Sequence, residues 1–330
     1  MMSRPDFLSK QVFFIESNEF HKLKFKNTNL ILIDENENIK LQHSCHKIFL
    51  IFVCGEFTIT SVLIKSLKKH SIPVIFLNYN LKPFHSIIPN SKGNFLLHKK
   101  QYSCDNELEI AKHIITNKII NQISLMKSLR YKTQKEKNSI IICKEYLTKV
   151  KLAKTSQELL GIEGNVAKTY FETYFKNLDF LGRKPRCKTD IFNLLLDVGY
   201  FYLFNFIDAN LELYDFDTYY GVYHKLFFQR KSLVCDLIEP FRCVIDRKIR
   251  KSYNLKQISD SDFGFKNGQY YIKREFNKKY AEIFLKEILK YKEDIFLYIQ
   301  SYYRCFIKER SLSSYPVFYI KSDNDDNIDI

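Results

Sequence analysis

The chain has no apolar run near the ~20 residues that a membrane-crossing helix needs. Its longest clean one, Ile48 to Cys54, is strand-sized. Met1 to Asp6 lacks the charged-then-apolar pattern of a secretory signal, so a cytoplasmic protein with no membrane partner is expected. No C-x-x-C pair occurs among the eight cysteines, at 45, 54, 104, 143, 187, 235, 243 and 305, which removes zinc ribbons and thioredoxin-like chemistry. In a cytosolic chain such cysteines are reduced and mostly buried, acting as small hydrophobes. A Walker-type glycine loop, a G-x-G-x-x-G fingerprint and a G-x-S-x-G elbow are all missing. Nucleotide-fuelled and hydrolase readings lose their usual support. Neither an internal repeat nor a low-complexity segment stands out before the acidic, polar close Ser322 to Ile330, where a mobile tail is expected.

What is present suits a folded, basic protein. The 330 residues are enough for two domains or one large one, and 45% apolar with 15% aromatic residues supports a real core. A net charge of +15 and a pI near 9.2 suit a polyanion partner. The abundance of Lys, Ile and Asn looks like an AT-rich coding bias, so charge alone leaves another kind of basic enzyme open.

The period of the apolar residues changes along the chain. Gln11 to Ile15, Lys22 to Lys26 and Asn29 to Ile33 read as strands separated by polar turns, with Asp34 to Asn38 as the next turn. Lys47 to Cys54 reads as a buried strand, Thr58 to His70 as a helix, and Ile72 to Leu77 as a strand that Leu81 to Ile88 could pair with before Pro89. From Gly93 onward the helical period takes over, with helices expected at 108–129, from an N-cap at Ser156 to about Leu178, and at 190–207, 232–250 and 277–308. The basic stretch 127–154 reads as a helix pair with a loop or a flexible crossing, and Asn267-Gly268 as a tight turn. The fold class is then α+β multidomain: an N-terminal β domain over 1–92, a connector over 93–105, a larger all-α helical domain over 106–320, and an acidic tail over 321–330.

The chemistry concentrates between 224 and 247. His224 is the only histidine after His113, and Asp236 and Glu239 stand three apart, which on a helix puts both carboxylates on one face. A lone imidazole with a carboxylate pair is part of a divalent-metal site and needs another oxygen ligand. Glu163, flanked by Gly161 and Gly164, could supply it, since glycine there leaves the carboxylate accessible. Each residue alone has a plainer explanation: a hydrogen-bonded histidine, a solvated pair facing Arg242 or Lys248, a first-turn glutamate. Together they suit Mg²⁺ or Mn²⁺ with open positions for phosphate oxygens. His43-Ser44-Cys45-His46 looks like a metal cluster but has no second ligand pair at zinc-finger spacing and reads as structural. The aromatic stretch Tyr214 to Phe228 could stack bases or pack a core.

Several blocks resemble one family in order: the universal CRISPR adaptation integrase, the first protein of the Cas set. LGIEGNVAKTYF at 160–171 resembles the family's glutamate block. Gly182-Arg183 with Asp190, Asn193, Leu194, Leu195, Gly199 and Tyr200 resembles its GR…D..N block. FDTYYGVYH at 216–224 and RKSLVCDLIEPFRCVIDR at 230–247 are similar to its histidine and acid-pair blocks. Weaker echoes occur at Lys118, Asn121 and Gln122, in 55–83, at Gln101-Tyr102, and at Gln300, Arg304 and Tyr315-Pro316.

This resemblance implies an N-terminal β-sandwich-like domain, a C-terminal helical domain and a homodimer. It further implies two dimers assembled with a small second Cas adaptation subunit, and double-stranded DNA (captured fragment and CRISPR repeat) as substrate. Its catalytic and metal residues fall on Glu163, His224 and Glu239, with Mg²⁺ or Mn²⁺ as cofactor. Asp236 becomes a supporting residue or an alternative ligand and Asn193 a supporting residue, and Arg183, Lys225, Arg230, Arg242 and Arg247 fall among candidates to contact DNA or brace the carboxylates. Gln229 for glycine, Thr218 for proline and Tyr223 for leucine depart from the pattern without removing a ligand. The implied reaction is metal-dependent transesterification, in which fragment 3′-hydroxyls attack repeat ends. A nuclease acting without integration, a silent subunit holding DNA ends and a helical transcription regulator remain the other readings, the last disfavoured because no compact helix-turn-helix stands out.

Overall fold

The computed structural model describes residues 2–88, 93–176, 178–224 and 227–321. Six strands, β1 (Gln11–Lys26), β2 (Asn29–Ile33), β3 (Ile39–Ser44), β4 (Ile48–Ile59), β5 (Val74–Leu77) and β6 (Pro83–Ile87), form one mixed sheet in the order β3-β2-β1-β4-β5-β6. The expected N-terminal β domain is present as this one mixed sheet. β1 is one strand where a polar turn was expected near 16–21; a register irregularity between Ser17 and His21 in its pairing with β4 takes up the polar residues instead. The turn at 34–38 is present, because Asp34 Oδ1 accepts from the backbone N–H of Asn36 (3.0 Å) and Asn38 (2.8 Å).

β4 runs past Gly55 to Ile59 because that glycine, at φ 103°, has no side chain to meet the Ser17 carbonyl, which would lie 2.4 Å from a Cβ. The following helix therefore starts later than expected, at Ser61, with Thr60 accepting from Leu63 N–H at 3.2 Å. A short helix, α1 (Arg4–Leu8), precedes the sheet, and α2 (Ser61–Lys69) makes the crossover between the parallel strands β4 and β5. Ile51, Val53, Leu63, Leu67, Val74 and Phe76 form the core between sheet and helix. His43 and Ser44 end β3 and Cys45 is buried, so this tetrapeptide serves the sheet edge, as expected. Pro89 lies outside the described residues.

The chain divides into two compact units. The first holds Met1–Gly93, Asp262–Gly264 and Tyr271–Glu293; the second holds Asn94–Ser261, Phe265–Tyr270 and Asp294–Ile330. Residues 271–293, which the sequence reading gave to the helical domain, thus cluster with the sheet. Within that unit Asn277 Nδ2 donates to the Tyr79 carbonyl (2.6 Å) and the Arg274 guanidinium lies 3.6 Å from the Tyr79 ring centroid. From 322 onward the expected tail lies outside the described residues.

The second unit is helical: α3 (Phe95–Tyr102), α4 (Glu107–Ser128), α5 (Gln134–Leu152), α6 (Ser156–Tyr174), α7 (Ile191–Glu212), α8 (Ser232–Leu237) and α9 (Arg242–Asn254). α3 fills the expected connector. α6 is capped by Thr155 rather than Ser156 (Glu158 N–H to Thr155 Oγ1, 3.1 Å), and α7 by Asp190 (Asn193 N–H to Oδ1, 2.8 Å). α7 is long and apolar enough to cross a membrane, but most of it is buried in this unit, as a core helix is. Two single-helix expectations fail. Residues 232–250 break at Pro240 into α8, a 3₁₀ turn (Glu239–Phe241) and α9, since proline removes a backbone donor and clashes with the preceding turn. Residues 277–308 break at Tyr291 into α10 (Asn277–Lys290) and α11 (Lys292–Ile307). The Asn267-Gly268 turn joins a small hairpin, β7 (Phe263–Lys266) and β8 (Gln269–Ile272).

The start of α5 carries a capping box: Glu136 accepts from Thr133 N–H at 2.7 Å and from the Thr133 hydroxyl, and also pairs with Lys176. The Lys176 and Thr133 hydrogen bonds pull the Glu136 carboxyl down to about 2 from 4.5. A depressed carboxylate stabilises the fold fully above its unfolded pKa and loses that effect as pH falls through the folded value. Glu136→Gln should therefore lower the denaturation midpoint at pH 7, and the gap from the parent should close between about pH 4.5 and 2 in pH-dependent thermal melts.

Candidate metal and catalytic site

The break at Pro240 decides the site. On an unbroken helix Asp236 and Glu239 would share a face; here they point at different partners. Asp236, wholly buried, accepts from the backbone N–H groups of Val222 (2.7 Å), Tyr223 (3.0 Å) and His224 (2.9 Å). Its Oδ1 also lies 2.7 Å from His224 Nδ1. A carboxylate accepts, so Nδ1 donates to it, and in the neutral imidazole this leaves the Nε2 lone pair for a metal. Gly221 lets the loop come this close, because a Cβ there would lie 2.5 Å from Asp236 Oδ2. Asp236 is thus the group that shapes and orients the histidine loop.

Glu239 turns instead toward α4. Its Oε2 accepts from Lys118 Nζ (2.6 Å) and Arg242 Nε (2.9 Å). The same Lys118 ammonium pairs with Glu163 Oε1, and the Tyr223 hydroxyl donates to Glu163 Oε2 at 2.5 Å. Two carboxylates from distant segments therefore converge on one positive charge. Burial opposes ionisation of Glu239, but the charges of Arg242, Lys118 and His224 outweigh it and hold the carboxyl at about 2. Burial lowers the affinity of Lys118 for its proton, yet Glu163 and Glu239 more than offset this and raise its pKa. Burial and the neighbouring Glu163 push the Tyr223 hydroxyl far above its usual range, so it stays a donor.

A supporting layer lies behind Arg242. Its guanidinium lies 4.5 Å from the Tyr200 ring centroid, and the hydroxyls of Tyr200 (2.5 Å) and Tyr170 (2.8 Å) donate to Asp246. Burial raises the Asp246 carboxyl to about 6 against those hydrogen bonds. Arg183 also lies over the Tyr200 ring (5.6 Å) while its guanidinium donates to Asn193 Oδ1 (3.0 Å) and Asp197 (2.7 Å).

The candidates thus separate. Glu163 and Glu239 share a partner, and the His224 charge acts on Glu239. Asn193 bonds with Gly182, Arg183, Lys184 and Asp190, which makes it an anchor of the 182–190 loop. Arg242 braces a carboxylate. Arg247 is buried and donates to the Lys321 carbonyl at 2.6 Å, which ties it to the chain's last described segment. Lys225 lies outside the described residues. Arg230 lies over the Phe227 ring (5.6 Å) and lines a cavity of about 560 Å³ with Arg186, Tyr219, Phe228 and Lys231. The aromatic stretch divides accordingly: Tyr214, Phe216 and Tyr223 are buried, while Tyr219, Phe227 and Phe228 are exposed.

Two parts of the cluster escaped the residue-by-residue reading. Lys118 carried only a family echo, since its partners lie far along the chain, and Tyr223 stood out only as a departure from the pattern. A further departure, Gln229, has φ 57°, the left-handed region that glycine adopts without strain. By donor chemistry the residues fit a divalent cation: two carboxylates and an imidazole whose other nitrogen is fixed by a carboxylate. Among the described residues no three His, Cys, Asp or Glu side chains gather closely enough to hold a metal as they stand. Asp236→Ala would strip the histidine loop of its acceptors and should cost on the order of 3 kcal/mol, read by chemical denaturation.

Comparison with known proteins follows the same lines. The family model described as "CRISPR associated protein Cas1" matches residues 17–286. The "CRISPR-associated endonuclease Cas1 1" of Thermodesulfovibrio yellowstonii is 29% identical over 248 residues, 71% of this chain and 78% of the relative. The "CRISPR-associated protein Cas1 3" of Methanobrevibacter ruminantium is 28% identical over 268 residues, 75% of this chain and 80% of the relative. Among solved structures, a casposase bound to integration product has a TM-score of 0.78 at 22% identity, covering 95% of this chain and 97% of that one. A Cas1 protein from Thermotoga maritima has a TM-score of 0.80 at 20% identity, covering 95% and 100%. A chain of a Cas6-RT-Cas1–Cas2 complex reaches 0.81 at 21% identity and covers 95% of this chain, which spans only 36% of that longer one. At these identities the structural likeness speaks to the fold, whereas the family match takes in most of the sequence: the chain belongs to the Cas1 family.

Proposed function

We propose that the protein is a metal-dependent DNA endonuclease and integrase of CRISPR adaptation, acting in the cytoplasm. The observation that carries this reading is the convergence of Glu163 and Glu239 on a single cation beside a histidine fixed by Asp236. Glu163, Glu239 and His224 Nε2 would hold Mg²⁺ or Mn²⁺, which polarises a phosphoryl oxygen and favours the attacking and leaving oxygens. In the reaction a 3′-hydroxyl of the captured fragment forms a new P–O bond at a repeat end. The old P–O bond breaks, and the proton lost by the attacking oxygen is balanced on the leaving 3′-oxygen. One phosphodiester replaces another, which agrees with the missing nucleotide-binding loop.

The chain's own residues do the positioning. Tyr223 orients Glu163, Asp236 holds the proton of His224 on Nδ1, and Arg242 keeps Glu239 ionised. Arg186, Arg230 and Lys231, beside exposed Tyr219, Phe227 and Phe228, suit a DNA backbone with unstacked bases. A structural relative named as a Cas6-RT-Cas1–Cas2 complex favours a Cas2-type partner, and the family resemblance implies that the chain works as a homodimer. Since relatives are named endonucleases, cleavage without joining is the second reading, and the same assay separates the two.

Incubation with a fragment bearing free 3′-hydroxyls and a supercoiled repeat plasmid should yield joined products. Glu163→Gln, His224→Ala and Glu239→Gln should each reduce joining by about 10²-fold or more, with circular dichroism and most DNA binding retained. Full joining by any one of them, with matched metal, would sink the assignment; fragments without joined product would favour plain cleavage. DNA affinity should fall steeply between 50 and 200 mM salt, by about 10²-fold or more, as phosphate contacts release counterions.

A further inference from the structure

Lys118 stands in the middle of α4, only 8% exposed, with its ammonium between Glu163 Oε1 and Glu239 Oε2. Those oxygens are ones a divalent cation would need. The other Glu163 oxygen accepts from Tyr223, and Glu239 Oε2 also accepts from Arg242. Two carboxylates and two cations therefore balance before any metal arrives. Without the ammonium, buried Glu239 and partly buried Glu163 would share only the Arg242 charge and repel. With it, they are held together across segments 45 and 121 residues away from Lys118 (163 − 118 and 239 − 118).

We infer that Lys118 is a positioning residue that keeps the place of the divalent cation: its ammonium holds Glu163 and Glu239 together in the metal-free protein and leaves when the metal binds. The inference rests on the metal reading above. It explains why no three donors gather within metal reach among the described residues: the centre of the carboxylate pair is already taken. It also makes Lys118 a competitor. A merely structural lysine would alter stability when removed but would not compete with the metal.

The test is Mn²⁺ binding to the DNA-free protein, followed by calorimetry and by the electron paramagnetic resonance of free Mn²⁺. Lys118→Met removes the charge while keeping most of the side-chain length. It should bind Mn²⁺ about tenfold or more tightly than the parent, through loss of a competing unit charge. Lys118→Gln, which keeps a donor between the carboxylates, should show the same direction and stands in if the Met variant does not fold. Glu163→Gln, alone and combined with either variant, identifies the binding that belongs to this site. Equal or weaker Mn²⁺ binding by the Lys118 variants, beside intact Glu163-dependent binding, would overturn this inference alone. Loss of all Glu163-dependent binding in parent and variants would overturn the metal reading with it.

Discussion

Burying charges from three separate segments is tolerable only when each has a fixed partner, and Glu163, Lys118 and Glu239 meet that condition through one another. Lys118 comes from α4, Glu163 from α6 and Glu239 from the turn before α9. Each carboxylate then takes a second donor, Tyr223 for Glu163 and Arg242 for Glu239. The arrangement of this part of the helical unit is bound to that shared charge. Arg242 in turn rests on Tyr200, whose hydroxyl is tied to Asp246 in α9, so the electrostatics of the site reach into the packing behind it.

The two acids of the DLIE segment show how a single backbone break divides labour. Pro240 interrupts the helix, and Asp236 remains in α8 facing the 222–224 loop while Glu239 faces α4. One carboxylate orients the imidazole and the other meets a cation. A straight helix would have aimed both acids in nearly the same direction and left the loop without its acceptor.

Much of the fold was legible because its period is local. The change from strand to helical patterning near Gly93, the Asp34 to Asn38 turn and the Asn267-Gly268 hairpin all follow from neighbours in sequence. Misses arose where a distant partner or a single residue overrides periodicity. β1 looks interrupted at its polar middle yet stays continuous beside β4, and the apolar spacing of 232–250 masks the effect of Pro240. In the site, Glu163, His224 and Glu239 could be named from their residue types and the family blocks. The bond between Lys118 and two glutamates could not, since nothing in a one-dimensional pattern joins positions 118, 163 and 239. Arg247 shows the same limit: it stands on a family basic position, and only the structure reveals that it is buried and donates to the Lys321 carbonyl.

The central claim is that Glu163, Glu239 and His224 form one divalent-cation site. Anomalous diffraction from crystals grown with Mn²⁺ tests it most directly. The account predicts a single strong peak within about 2.0–2.3 Å of oxygens from both glutamates and of His224 Nε2. A peak held by other residues, or none in this pocket at saturating Mn²⁺, would contradict it.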